Sequence, residues 1–187
     1  MENVKEILDI YEINLHTSAI MPFITNEGKV YSKIYEGPNI FICRECPTKI
    51  IEWSCIFLGC SYDGKRKATR FLMNYNYKLP VSIDSKNTIY FFPTHSPSSP
   101  SCVWVSLHNI LENREVEPLK TLITFKNYQQ ITVDISMHSL NNQILRANSL
   151  QNVLTHNHDK IRESFNLYSD KDNNRHSRKK KKDEEEY

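Results

Sequence analysis

Five cations, Lys65, Arg66, Lys67, Arg70 and Lys78, fall within a stretch from Gly64 to Ile83 that holds no Asp or Glu. Ammonium and guanidinium groups massed without counter-charge attract phosphate, and arginine also suits the narrow, strongly negative minor groove of A-tracts. Gly64 stands directly before three consecutive cations, so the order predicts a turn that projects two or three of them in one direction. That chemistry suits AT-rich DNA. The same run equally describes a solvated turn whose charges serve solubility, and the residues alone leave both readings open.

Other chemistry is thinly represented. Gly28, Gly37, Gly59 and Gly64 are the only glycines, and no two have the spacing of a phosphate-cradling loop or a dinucleotide turn, so no cofactor is expected. Neither a G-x-S-x-G elbow nor an H-E-x-x-H helix is present, which argues against an enzyme. Cys43 and Cys46 form a C-x-x-C that could join Cys55 and Cys60 on zinc. The second pair is spaced too widely for a knuckle, however, so with Cys102 all five read as thiols and no metal is expected. Of the seven histidines only His156 and His158 are close, at a spacing that does not share a helical face. Trp53 and Trp104 read as core residues before stacking platforms.

The elements that must position these residues are those of a single mixed domain. With 39% hydrophobic and 25% charged residues the chain has globular composition, and 24 Lys and Arg against 22 Asp and Glu leave only +2, so charge distribution matters more than its sum. The first residues carry acidic charges without a signal-peptide core, and no apolar run reaches spanning length; a cytoplasmic protein without membrane attachment is expected. Alternation and turn residues predict strands near 10–16, 18–23, 29–35 and 39–43. Pro47 opens a helix carrying Ile50, Ile51, Cys55 and Leu58, which Gly59 stops. Further strands are expected at 88–92, 102–107, 121–125 and 129–135, the last two as a hairpin around Lys126-Asn127-Tyr128, which lacks the usual glycine. Ser136 or Ser139 would cap a final helix with Leu140, Ile144 and Ala147 inward.

The expected class is therefore α+β, mostly antiparallel sheet, with one central helix after the N-terminal strands and one C-terminal helix. The folded part is expected over 1–170. Over 171–187 a run of positives abuts a run of negatives, which predicts a disordered charged tail whose own attraction to phosphate largely cancels.

Several segments, in order, resemble the ComK family of competence transcription factors: Ser32-Lys33-Ile34, Ser54-Cys55 with Gly59, and Ser61-Tyr62-x-Gly64 before the basic group. Phe92-Pro93-Thr94 then precedes Cys102-x-Trp104-x-Ser106, and Thr124-Phe125, Ser136 and Asn142-Gln143-x-x-Arg146 continue the register. The likeness runs from about Tyr11 to Tyr168. It implies a non-enzymatic activator of DNA-uptake genes that recognises paired AT-rich boxes through the minor groove as an assembly of dimers or a tetramer. On that basis Lys65, Arg66, Lys67 and Arg70, with Lys78 and Arg146 beside them, are the candidate DNA contacts. The resemblance also implies capture by the adaptor MecA for the ClpC/ClpP protease, with Phe165, Leu167 and Tyr168 the matching segment. The competing reading is a paralogue that does not bind DNA and acts by sequestering the adaptor or by heterodimerising.

Overall fold

The structure, a computed structural model, describes residues 4–184, with side chains through Ser164. The chain comprises two units, Met1–Gln151 and Asn152–Tyr187. Its elements are β1 (Val4–Leu8), β2 (Thr17–Ile24), β3 (Val30–Glu36), β4 (Asn39–Cys43), α1 (Pro47–Phe57), α2 (Tyr62–Met73), β5 (Val81–Asp84), β6 (Ile89–Pro93), β7 (Trp104–Ser106), β8 (Ile110–Glu117), β9 (Lys120–Phe125), β10 (Gln130–Val133) and α3 (Met137–Glu184). The class is the expected α+β.

In the first unit a seven-stranded sheet has the order β1-β4-β3-β2-β7-β6-β5, and a three-stranded sheet the order β10-β9-β8. Every pairing is antiparallel except that of β1 with β4. Ile20, Ile34, Val81, Phe91 and Trp104 project from the large sheet into a core shared with Ile50, Ile51 and Cys55 of α1 and Tyr62 of α2. The indole of Trp104 meets the Tyr62 ring edge-on at 6.1 Å and donates to Thr48 Oγ1 at 3.2 Å, which satisfies its only polar atom. The sheets are joined through Asn109, whose amide donates to the carbonyls of Leu15 at 3.1 Å and Thr17 at 2.9 Å. In the second unit, α3 continues with described side chains that are mostly exposed.

α1 forms where apolar spacing placed it. Pro47 occupies the first turn, where its missing N–H costs nothing. At the other end Gly59, at φ +78°, donates to Ile56 O at 2.8 Å while Cys60 donates to Cys55 O at 3.0 Å, the paired bonds of a Schellman stop. For α3 the cap is Ser136, whose hydroxyl accepts from Ser139 N at 3.3 Å.

Four local readings change. No turn sits at Gly64: the basic stretch is a second helix, α2, entered through Ser61, whose hydroxyl accepts from Gly64 N at 3.0 Å. The glycine there is room for that cap, since a Cβ would stand 2.9 Å from the Ser61 oxygen. No strand covers 10–16 either. Its alternation is real, since Tyr11 and Ile13 are buried, but side chains take its backbone bonds: Ile13 N donates to Ser54 Oγ at 3.1 Å and Asn14 N to Thr17 Oγ1 at 3.0 Å. Strand β1 lies earlier and pairs with β4, which is distant in sequence. Strands β5 and β8 were not expected, the one being four residues long and the other mostly polar.

Candidate nucleic-acid interface

α2 is amphipathic in an unusual way, because its inward face is largely polar. Tyr62 and Thr69 are buried and Lys65 half-buried on the side that meets β5, the edge strand of the large sheet. Lys65 Nζ donates to Ser82 O at 2.6 Å and to Ile83 O at 2.8 Å, and Thr69 Oγ1 donates to Pro80 O at 3.3 Å. These bonds tie the helix to the edge strand and to the residue that leads into it. Beside Lys65, Asp84 is drawn two ways: burial raises its pKa, while hydrogen bonds from Asn87 and Lys86 and the Lys65 charge lower it further, for a net fall.

The sequence candidates therefore separate. Lys65 is committed to the fold. Arg66 lies over the Tyr62 ring at 5.5 Å and stands 3.4 Å from the Asp63 carboxylate, so its charge is partly answered. Lys67 and Arg70 are exposed on the outer face of α2, with Phe71 next to them. The helix ends at Asn74, in the left-handed region at φ 54°, whose N–H bonds Arg70 O. The segment after it carries the half-buried Lys78, also left-handed at φ 49°.

Arg146 arrives from α3. Its guanidinium covers the Tyr75 ring at 4.6 Å and donates to Tyr77 O at 3.3 Å, so it buttresses the segment as well as charging it. One turn earlier, buried Gln143 donates to Lys78 O at 2.9 Å and to Pro93 O at 2.7 Å. Lys67 and Arg70 thus stand exposed on the helix, while Lys78 and Arg146 belong to the segment that follows its end; exposed Asp63, in the first turn of the same helix, is the nearest carboxylate in the chain and stands 3.4 Å from Arg66.

The model of the ComK protein family matches residues 8–159. The chain belongs to the ComK family. The competence transcription factor of Bacillus subtilis (strain 168) is 34% identical over 165 residues, which cover 86% of this chain and 85% of that protein. No solved structure gives a significant match. ComK-family proteins are transcription factors and not enzymes.

Within this ComK-family fold the cysteines are free. Burial pushes the Cys55 thiol up to about 11, against a lowering pull from Lys65, and the Cys102 thiol also up to about 11, so both stay protonated at neutral pH. Among the described residues no three His, Cys, Asp or Glu side chains are grouped to hold a metal ion, and no helix is long and apolar enough to cross a membrane. Trp104 is a core residue, whereas Trp53 is 43% exposed on α1. Sequence reasoning missed Phe71 and Tyr77 as parts of this surface and Gln143 as the buried support beneath Lys78; the signal for the first two was apolar rings set among cations. Phe165, Leu167, Tyr168 and the charged segment 171–187 lie beyond the last described side chain.

Proposed function

We propose that this chain activates competence genes in the cytoplasm by binding paired AT-rich boxes in promoter DNA, mainly through the minor groove, with Lys67, Arg70 and Lys78 as the principal phosphate and groove contacts. The observation that carries the reading is the outer face of α2, where Lys67 and Arg70 stand exposed and the one carboxylate of the helix, Asp63, lies 3.4 Å from Arg66. Each phosphate neutralised adds about 0.9 to the dependence of log affinity on log salt. Three contacts per copy are few beside the roughly 6–10 of larger footprints, so assembly as a dimer or tetramer on two boxes supplies what one copy lacks. Turnover through MecA and ClpC/ClpP, engaged by Phe165, Leu167 and Tyr168, completes the reading.

The test is a titration of the full chain against AT-box and GC-rich duplexes at two salt concentrations, with a Lys67→Ala/Arg70→Ala variant alongside. Binding that prefers the AT boxes, and a variant whose salt slope falls by about two per copy, is the expected result. Absence of binding by the folded protein to paired boxes would favour the paralogue that sequesters the adaptor or heterodimerises.

A further inference from the structure

The ring of Phe71 is 87% exposed and that of Tyr77 is 81% exposed. Aromatic side chains ordinarily contribute through burial, and these two sit beside Lys67, Arg70 and Lys78 rather than in a pocket of their own. Tyr77 is not on a loose loop. Asn74 and Lys78, one on each side of it, are non-glycine residues in the left-handed region, a backbone arrangement that persists only when its surroundings hold it. Three side chains supply that hold: Gln143 grips Lys78 O, Arg146 grips Tyr77 O and covers Tyr75, and Thr69 grips Pro80 O.

We propose that Phe71 and Tyr77 are the groups by which this face meets bases, their rings pressed against or between the steps of AT-rich DNA while the neighbouring cations hold the phosphates. The inference rests on the DNA-binding reading above. A phenyl ring has nothing to offer a phosphate, but it finds a partner in the flat face of a base, and apolar wedges of this kind unstack minor-groove steps. Pyrimidine–purine steps of AT-rich sequence yield most readily, so the rings would turn base-step flexibility into selectivity that hydrogen bonds in the degenerate minor groove supply poorly. Charge complementarity selects the occupant. The segment 64–83 carries cations and no carboxylate, and Asp63 just before it is answered by Arg66 at 3.4 Å, whereas another exposed apolar face, Trp53, Ile56 and Phe57 on α1, has Lys49 and Glu52 of opposite sign beside it. Gln143 and Arg146 are positioning residues that aim Tyr77.

The experiment uses the full chain and an AT-box duplex carrying 2-aminopurine at a central TA step, with a GC-rich duplex as competitor. Wild type, Phe71→Ala/Tyr77→Ala and Phe71→Leu/Tyr77→Phe are compared for affinity at two salt concentrations, 2-aminopurine fluorescence and sedimentation. Wild type is expected to raise the fluorescence by unstacking the probe. The double alanine variant should keep its salt slope, lose the fluorescence rise and lose roughly tenfold in AT over GC preference, the loss of about one stacked base. The Leu/Phe variant, which retains apolar bulk, should recover most of both. Because both rings stand outside the core, circular dichroism should be the same for all three. A double alanine variant with unchanged fluorescence and preference overturns the inference and leaves the DNA-binding reading intact. So does one whose self-association changes while its DNA preference does not, which would make the rings a protein contact. A wild-type chain that binds neither duplex removes the DNA-binding reading, and this inference with it.

Discussion

Lys65 and Arg70 share a helix but not a face, and that difference separates what they do. The ammonium of Lys65 is fixed on two carbonyls of β5, and hydrogen bonds from a charged donor contribute about 1.5–3 kcal/mol each before the loss of side-chain freedom is subtracted. Lys65→Ala should therefore lower stability by about 2 kcal/mol, seen as a fall of several degrees in melting temperature, with little change in the salt slope of DNA binding. Arg70→Ala, by contrast, should leave the melting temperature within about a degree and reduce that slope by about one. The address of the cations was legible in the sequence, since an acid-free basic run needs no structure to be seen. Their division was not, because which of the consecutive cations turns inward depends on helical phase, and the phase was hidden by Gly64, which reads as a turn until Ser61 is seen to need the space for its cap.

Elements whose inward faces are apolar were the legible ones. α1 is bracketed by Pro47 and Gly59 around buried Ile50, Ile51 and Cys55, so periodicity and punctuation agree. α2 escaped because it docks through Tyr62, Lys65 and Thr69, two of which find their polar partners only in Pro80, Ser82 and Ile83, the carbonyls of β5 and of the residue leading into it. β8 escaped because an edge strand with most residues exposed reads as charged loop. Two turns carry opposite tests of the same backbone rule. Gly59 closes α1 at φ +78°, where a Cβ meets no atom but the conformation is strained, so Gly59→Ala should destabilise by about 1 kcal/mol. Tyr128 occupies the left-handed position of the β9–β10 hairpin at φ 65° with its ring 80% exposed. Tyr128→Gly relieves that strain without vacating the core and should stabilise by up to about 1 kcal/mol; chemical denaturation of both variants reads the pair.

At the scale of the whole molecule the two sheets and α3 converge on His108, in the link between β7 and β8. Tyr90 of β6 meets its ring edge-on at 6.2 Å, and Lys126 of the β9–β10 turn and Gln151 of α3 act on it as well. Its Nε2 is buried without a partner. Burial first, and the Lys126 charge second, hold the imidazole below its ordinary value, while a hydrogen bond with Gln151 pulls weakly the other way. The unfolded chain thus takes up a proton near the ordinary histidine value of about 6.5, at a pH where the folded chain still resists it. Protons bind the unfolded state more, so the stability held by the neutral ring is complete well above pH 6.5 and declines as pH falls through that value. The decline levels off once the pH drops below the folded value, where both states are charged. Urea midpoints at pH 7.5 and 5.5 should therefore fall for the parent chain, and fall less for His108→Phe, which removes both the titration and the orphaned nitrogen. Equal declines in the two proteins would place the pH sensitivity elsewhere, since histidines exposed in both states contribute no difference, and would remove His108 as the junction's titrating group.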